Sequence, residues 1–435
     1  MTSGEAGTLD PVRDFPGFPG VDEVLAQARS LAERAGGRVE ALGRYRDGRP
    51  LELVRAGSGR RQVLLLGGPH PNEPVGMASC LELLRLLGGP GPQAAALRAG
   101  WTWNVVACWD AVGARRNEGW YGVRPLTPEV YHRWFYRPRL CEQPEWTFPL
   151  AGARTGREAL WPETRAVMEA VDRLRPELVA SLHNTDLDGS FFMLSRQQGG
   201  LAQELSRLPA RFGLSLGRYD ADSVGWATPA PGVHVLPGAD ELYILGPEAN
   251  AAAGGDGRGH GACSLHYAER VCGALGVIAE VPLWRMRREP APPQSRWRRR
   301  MGELADLADR RSAQLRAAGP EAPFGAEDPV YLPPVRETLR LLGNETERWR
   351  GMLRPEDPEL AADVWNSVRA GAYRLPLRAL GMRLRSPLPV APGLRALLPA
   401  LSAEFAAELG VRPTPIRDLI RTQLAALLLA LDHAR

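Results

Sequence analysis

Lysine is absent from this chain. All 54 basic residues are arginine, set against 50 acidic ones, for a formal net charge of +4 over 435 residues. So small an excess argues against a nucleic-acid partner. The arginine bias most simply reflects a GC-rich genome, although a planar guanidinium also suits carboxylate recognition. Cysteine is scarce: Cys80, Cys108, Cys141, Cys263 and Cys272 are odd in number and widely spaced, with no Cys-x-x-Cys pair. They read as reduced, mostly buried thiols and not as a disulfide frame. No basic-then-apolar leader opens the sequence, and the apolar run 424–431 is far too short to span a bilayer. These absences predict a soluble cytoplasmic protein with no membrane association. Internal repeats are also lacking, and nothing in the sequence sets an oligomeric state.

What is present is a hydrophobic content of 44% in a chain long enough for one large domain and a smaller one. Apolar strand-like runs at 63–66, 103–108, 177–182 and 276–281 alternate with helix-patterned stretches at 22–35, 74–87, 161–174, 201–212 and 264–275. Residues 38–54 read as two strands around the Asp47-Gly48 turn. Alternation of this kind predicts an α/β protein with a largely parallel or mixed sheet flanked by helices. A Pro-rich stretch at 289–294 marks a change. Beyond it come helical patterns at 299–318, 335–342, 359–372, 398–409 and 415–434. The predicted division is therefore 1–290, a catalytic domain, and 291–435, a C-terminal helical appendage. Residues 251–259, rich in Gly and Ala, read as a loop beside the site.

The chemistry-bearing residues fall where strands end. After the run 63–66 come Gly67-Gly68-Pro69-His70-Pro71-Asn72-Glu73, which sets an imidazole and a carboxylate three residues apart at a strand-to-helix corner. A second imidazole, His183 in Ser181-Leu182-His183-Asn184, ends another apolar run. Two His and one Glu with an open fourth position is a common hydrolytic zinc set. In open α/β sheets, ligands gather beyond strand ends. Glu280, a carboxylate near the end of the run 276–281, is the candidate general base and acid. Arg115, in Gly113-Ala114-Arg115-Arg116-Asn117, is the candidate partner for an oxyanion.

This set resembles the carboxypeptidase A-like zinc metallopeptidases, the funnelins, over residues 30–285. His70-x-x-Glu73 matches the first ligand pair and His183 the third ligand. The segment from Asp110 to Asn117 is similar to the Asn-Pro-Asp-Gly stretch followed by Arg-x-Asn. Ser264-Leu265-His266-Tyr267, sixteen residues before Glu280, resembles the segment preceding the catalytic Glu. The resemblance implies an α/β/α sandwich around a mixed, mostly parallel eight-stranded sheet and one zinc ion. It also implies removal of a C-terminal amino acid from a peptide, with Arg115 polarising the scissile carbonyl. The segment that grips the substrate carboxylate is not recognisable, and Asn117 and Arg137 are the nearest substitutes. The mobile tyrosine position falls on Arg258, with Tyr243 or Tyr267 as replacements. The base of the specificity pocket matches Leu265, which favours an uncharged leaving residue. The competing readings are an N-acyl amino acid deacylase of the aspartoacylase type and a pseudopeptidase that only binds peptide.

Overall fold

A computed structural model describes residues 12–149, 160–187, 189–238, 262–318 and 328–434. Its centre is an eight-stranded mixed sheet. The strands are β1 (Arg38–Arg44), β2 (Pro50–Ala56), β3 (Arg61–Gly67), β4 (Trp101–Val106), β5 (Leu178–Thr185), β6 (Phe191–Leu194), β7 (Val233–Val235) and β8 (Leu275–Pro282). They lie in the order β1-β2-β4-β3-β5-β8-β6-β7. The four central strands β4, β3, β5 and β8 run parallel. Their burial explains the continuous apolar runs: β4 is buried along its whole length, and β5 except at Thr185.

Helices cover both faces. α1 (Val21–Arg34), α2 (Pro74–Leu87) and α4 (Gly199–Arg211) belong to one layer, and α3 (Pro162–Leu174) packs with α5 (Ser264–Cys272) in the other. Twelve residues of α2 are buried, from Pro74 to Leu87, as expected of a helix that is apolar all round. The helix-flanked sheet expected from the alternating pattern is therefore present, as the α/β/α sandwich that the resemblance implies.

The hairpin expected at 38–54 forms β1 and β2, with Gly48 at φ +85° in its turn. Several boundaries shift by a few residues, and one of them bears on the site. β5 does not stop at Leu182 but continues to Thr185, so His183 lies inside the strand. The overrun follows from pairing, because His183, Asn184 and Thr185 keep partners in β8 at Glu280, Val281 and Pro282.

After β8, a two-residue strand β9 (Trp284–Arg285) leads into an irregular stretch at 286–293. Five helices follow: α6 (Gln294–Ala318), α7 (Leu332–Gly351), α8 (Pro358–Arg385), α9 (Pro392–Leu409) and α10 (Ile416–His433). They overlap the five helical patterns, but most exceed them: α6, α7 and α9 begin earlier, α7 runs on to Gly351, and α8 runs on to Arg385 through Pro376. α6, α7 and α9 pack around α8, which also meets the short helix Pro128–Trp134. α10 returns to the sandwich and lies against α2, α4, β5 and β8. A two-residue strand β10 (Arg412–Pro413) pairs with β9 just before it. None of the five cysteines is in a disulfide. No helix among the described residues is long and apolar enough to cross a membrane.

A buried ion pair joins the helical segment to the end of β5. Asp186, just beyond β5, accepts from Tyr131 Oη at 2.6 Å and from Arg378 Nε at 3.0 Å. Burial alone would raise the Asp186 carboxyl, but Arg378, Arg374 and the Tyr131 hydroxyl hold it below its ordinary range. Removing one partner of such a pair strands a buried charge. Arg378→Met is therefore expected to lower unfolding free energy by about 3–5 kcal/mol. The double variant with Asp186→Leu should recover most of that loss. Urea denaturation of both variants is the check.

Candidate metal centre

The chain turns sharply where β3 ends. Gly68 takes φ +57°, and a Cβ on Gly67 would sit 2.7 Å from Cys80 Sγ and 2.8 Å from the Ala107 carbonyl. Gly76, in the first turn of α2, lies so close to β5 that a Cβ there would meet the Leu182 carbonyl at 2.3 Å. These glycines let the start of α2 rest against the end of β5, which brings Glu73 beside His183. The junction is tied in both directions. Asn184 Oδ1 accepts from the Val75 amide at 3.3 Å, and the Asn184 amide donates to Glu73 Oε2 at 3.3 Å. The first bond satisfies one of the unpaired N–H groups at the helix start.

His70, Glu73 and His183 thus meet. One potential ligand atom from each lies within 4.8 Å of the others, and all three residues are buried. The imidazole centroids of His70 and His183 are 4.9 Å apart. His183 Nδ1 is 3.0 Å from Glu73 Oε2 and 3.7 Å from Glu280 Oε1. His183 Nε2 lies 2.9 Å from Ser181 Oγ. With its proton placed there, Nδ1 presents a lone pair towards a carboxylate oxygen. Neither His70 Nδ1 nor His183 Nδ1 has a hydrogen-bond partner, although both are buried. Burial, reinforced by the nearby charge of Arg137, holds His70 well below the ordinary imidazole range and keeps it neutral.

Two imidazoles with unpartnered Nδ1 atoms converging on a carboxylate suit a divalent cation, and the donor set suits zinc. Ser181 Oγ, accepting from His183 Nε2, is the kind of outer-sphere contact that such histidines usually have.

Glu280 pairs in register with His183 on the neighbouring parallel strand. In-register partners point to the same face, so both side chains reach the same space.

The remaining expected residues are placed as follows. Arg137 is at the centre: its Nη1 donates to Glu73 Oε1 at 2.9 Å and lies 3.4 Å from Asn72 Oδ1. Arg115 is not brought to the cluster. Its guanidinium pairs with Asp22 and donates to the Ala111 carbonyl at 3.2 Å, because the short helix it terminates turns it outwards. Asn117 is fully buried, and its amide serves the chain itself: Nδ2 donates to the Tyr136 carbonyl, and Oδ1 accepts from the Tyr136 amide and Trp120 Nε1. It clamps the backbone next to Arg137 and does not face a ligand. Leu265 is fully buried against Gly276. That point is four residues of strand, or about 13 Å, from Glu280, so Leu265 belongs to the core and lines no pocket floor beside the base. Tyr267 is also buried, donating to Asp172 at 2.7 Å. Arg258, Tyr243 and the loop 251–259 lie outside the described residues.

Several residues at the centre went unassigned in the sequence. Ser181 is two positions from His183, and strand periodicity alone puts both on one face. Asn184 follows it directly. Trp146, whose ring stacks on His70 with centroids 6.4 Å apart, carries no local signal.

No family model matches the sequence. No curated protein matches it either. Among solved structures, similar chains include a metallopeptidase candidate from Shewanella amazonensis, with 16% identity, 63% of this chain and 85% of that one covered, and a TM-score of 0.42. A metallo-carboxypeptidase from Burkholderia cenocepacia is similar at 18% identity, with 60% of each chain covered and a TM-score of 0.38. Carboxypeptidase A from Helicoverpa armigera is similar at 10% identity, with 82% and 78% covered and a TM-score of 0.40. Likenesses at this level say nothing about activity, and the functional argument rests on the side chains.

Other histidines affect stability. Burial pushes His132 and His234 down to about 4, and His70 is also held low. The unfolded chain therefore takes up protons first as pH falls. Stability contributed by His132 and His234 is complete above about pH 6.5 and is lost between there and about pH 4, at up to about 1.4 kcal/mol per pH unit for each histidine. Urea midpoints of metal-free protein should fall steadily from pH 7 to pH 5. A flat profile would contradict the assignment.

Proposed function

We propose that this protein is a zinc-dependent metallopeptidase that removes a residue from the C-terminus of a peptide. The observation that supports this most is the convergence of His70, Glu73 and His183, all buried, with Glu280 in register beside His183. The sequence resemblance to carboxypeptidase A-like enzymes adds the reaction class.

His70, Glu73 and His183 would hold one ion, which when bound lowers the pKa of a water and polarises a carbonyl. Glu280 stands 3.7 Å from His183 and has 15% of its side chain exposed, so it can reach both the cluster and entering substrate. Its role is to take a proton from the attacking water and deliver it to the leaving nitrogen. Arg137 faces the developing oxyanion. It takes the role that sequence reasoning gave Arg115, because its guanidinium is already at the cluster while that of Arg115 is engaged by Asp22. Asn117 fixes the backbone from which Arg137 projects. In this reading residues 1–290 carry the chemistry and 291–435 form the helical segment, and the enzyme works in the cytoplasm on an intracellular peptide.

The test is incubation of zinc-loaded protein with a mixed library of free and C-terminally blocked peptides and of N-acyl amino acids, with products read by mass spectrometry. Single residues should be released from free C-termini only. Release of acyl groups instead would assign a deacylase. Glu280→Gln should cut kcat by about 10²–10⁴-fold with zinc retained. Arg137→Ala should cut it by about 10²–10³-fold. Arg115→Ala should stay within about threefold of the parent. A Glu280→Gln variant with full activity would overturn the mechanism.

A further inference from the structure

α10 is apolar nearly all round, yet its buried face carries Thr422 and Gln423, both fully enclosed. Thr422 needs nothing outside its helix, because its hydroxyl donates to the Asp418 carbonyl at 2.8 Å. Gln423 differs. A buried primary amide is costly unless its donors and acceptor are matched, and here each match lies on another element. Gln423 Oε1 accepts from Ser79 Oγ at 2.7 Å, while Nε2 donates to the His183 carbonyl at 2.6 Å and stands 3.3 Å from the Ala279 carbonyl. Ser79 belongs to α2, the helix that Glu73 opens. His183 is a member of the cluster, and Ala279 precedes Glu280. One side chain therefore touches the three segments that deliver Glu73, His183 and Glu280.

We infer that Gln423 is a positioning residue for the metal centre: from the C-terminal helix, it sets the separation of the segments bearing the ligands and the base. This rests on the metallopeptidase reading above. Two further features support it. β5 loses its β3 neighbour after the pair Gly67↔Leu182, so His183 stands where the sheet no longer braces the strand on that side. α10 is in turn locked to the continuation of β8, because β9 pairs with β10, the Thr414 amide donates to the Leu283 carbonyl at 2.9 Å, and Arg285 pairs with Asp418 at 3.1 Å. The amide is thus held in place by the same strand that it braces. Groups that orient metal ligands from outside the coordination sphere typically carry 10–100-fold effects on affinity or activity.

The experiment uses the full-length protein with Gln423→Leu, Gln423→Glu, Ser79→Ala and, as a buried neighbour that serves only its own helix, Thr422→Ala. Zinc affinity is measured by competition with a chelator. Amide hydrogen exchange of residues 183–186 and 279–282 is followed in metal-free protein, and kcat and KM are taken on the released-residue assay. Gln423→Leu should lose about 10–100-fold in zinc affinity, with kcat reduced and KM little changed. Its exchange at both segments should be faster than in the parent. Gln423→Glu keeps the acceptor but loses both donated bonds, so it should behave like the leucine variant and not like the parent. Ser79→Ala should fall between them, and it carries the test if the leucine variant fails to fold. Thr422→Ala should lower the melting temperature with zinc affinity unchanged within twofold. A folded Gln423→Leu protein with parental exchange and affinity within twofold would overturn the inference. A parent that binds no zinc would instead overturn the metallopeptidase reading, and exchange in the metal-free chains would then decide the positioning role alone.

Discussion

Inside the sandwich, with the His183 proton on Nε2, its Nδ1 faces a Glu73 carboxylate oxygen at 3.0 Å, and a second imidazole closes the triangle. Three electron-rich atoms held this close and away from solvent repel one another, and a divalent cation would turn that repulsion into attraction. Much of the surrounding architecture follows from holding this arrangement. The glycines at 67, 68 and 76 permit the close approach, Asn184 ties helix to strand, and Ser181 holds the far nitrogen of His183. Arg137 places a positive charge on Glu73, which offsets part of the clustered negative charge.

The parallel centre of the sheet does the placing. β3, β5 and β8 run side by side in the same direction, so residues at their ends reach one edge even though they are far apart along the chain. The residues beyond 290 contribute to the same edge from the other direction. Arg378 grips Asp186 just past β5, and Gln423 reaches the carbonyls of β5 and β8. The helical segment is therefore part of what keeps the strand ends in place.

Some of this was legible in the sequence because the signals are local. His70 and Glu73 follow an apolar run and two glycines, and His183 and Glu280 sit near the ends of buried strands whose composition is unmistakable. The same locality gave the hairpin and nearly every long helix. Where legibility failed, the deciding interaction was distant or the segment irregular. That Arg137 reaches Glu73 while Arg115 pairs with Asp22 depends on how residues 110–149 fold through short helical turns that no periodicity marks. Leu265 shares a sequence spacing with a pocket residue, but packing against Gly276 decides its environment. β6 and β7, with four and three residues, are too short to carry an alternating pattern. Gln423 lies 240 residues from His183, a contact that no motif could announce.

The central claim is that His70, Glu73 and His183 bind one zinc ion. Diffraction from crystals of the zinc-loaded protein, measured on both sides of the zinc absorption edge, tests it most directly. The account predicts a single anomalous peak bonded to Nδ1 of both histidines and to the Glu73 carboxylate, about 2.0–2.2 Å from each ligand atom. Full zinc loading with no peak between these three side chains, or with the peak at another cluster, would contradict it.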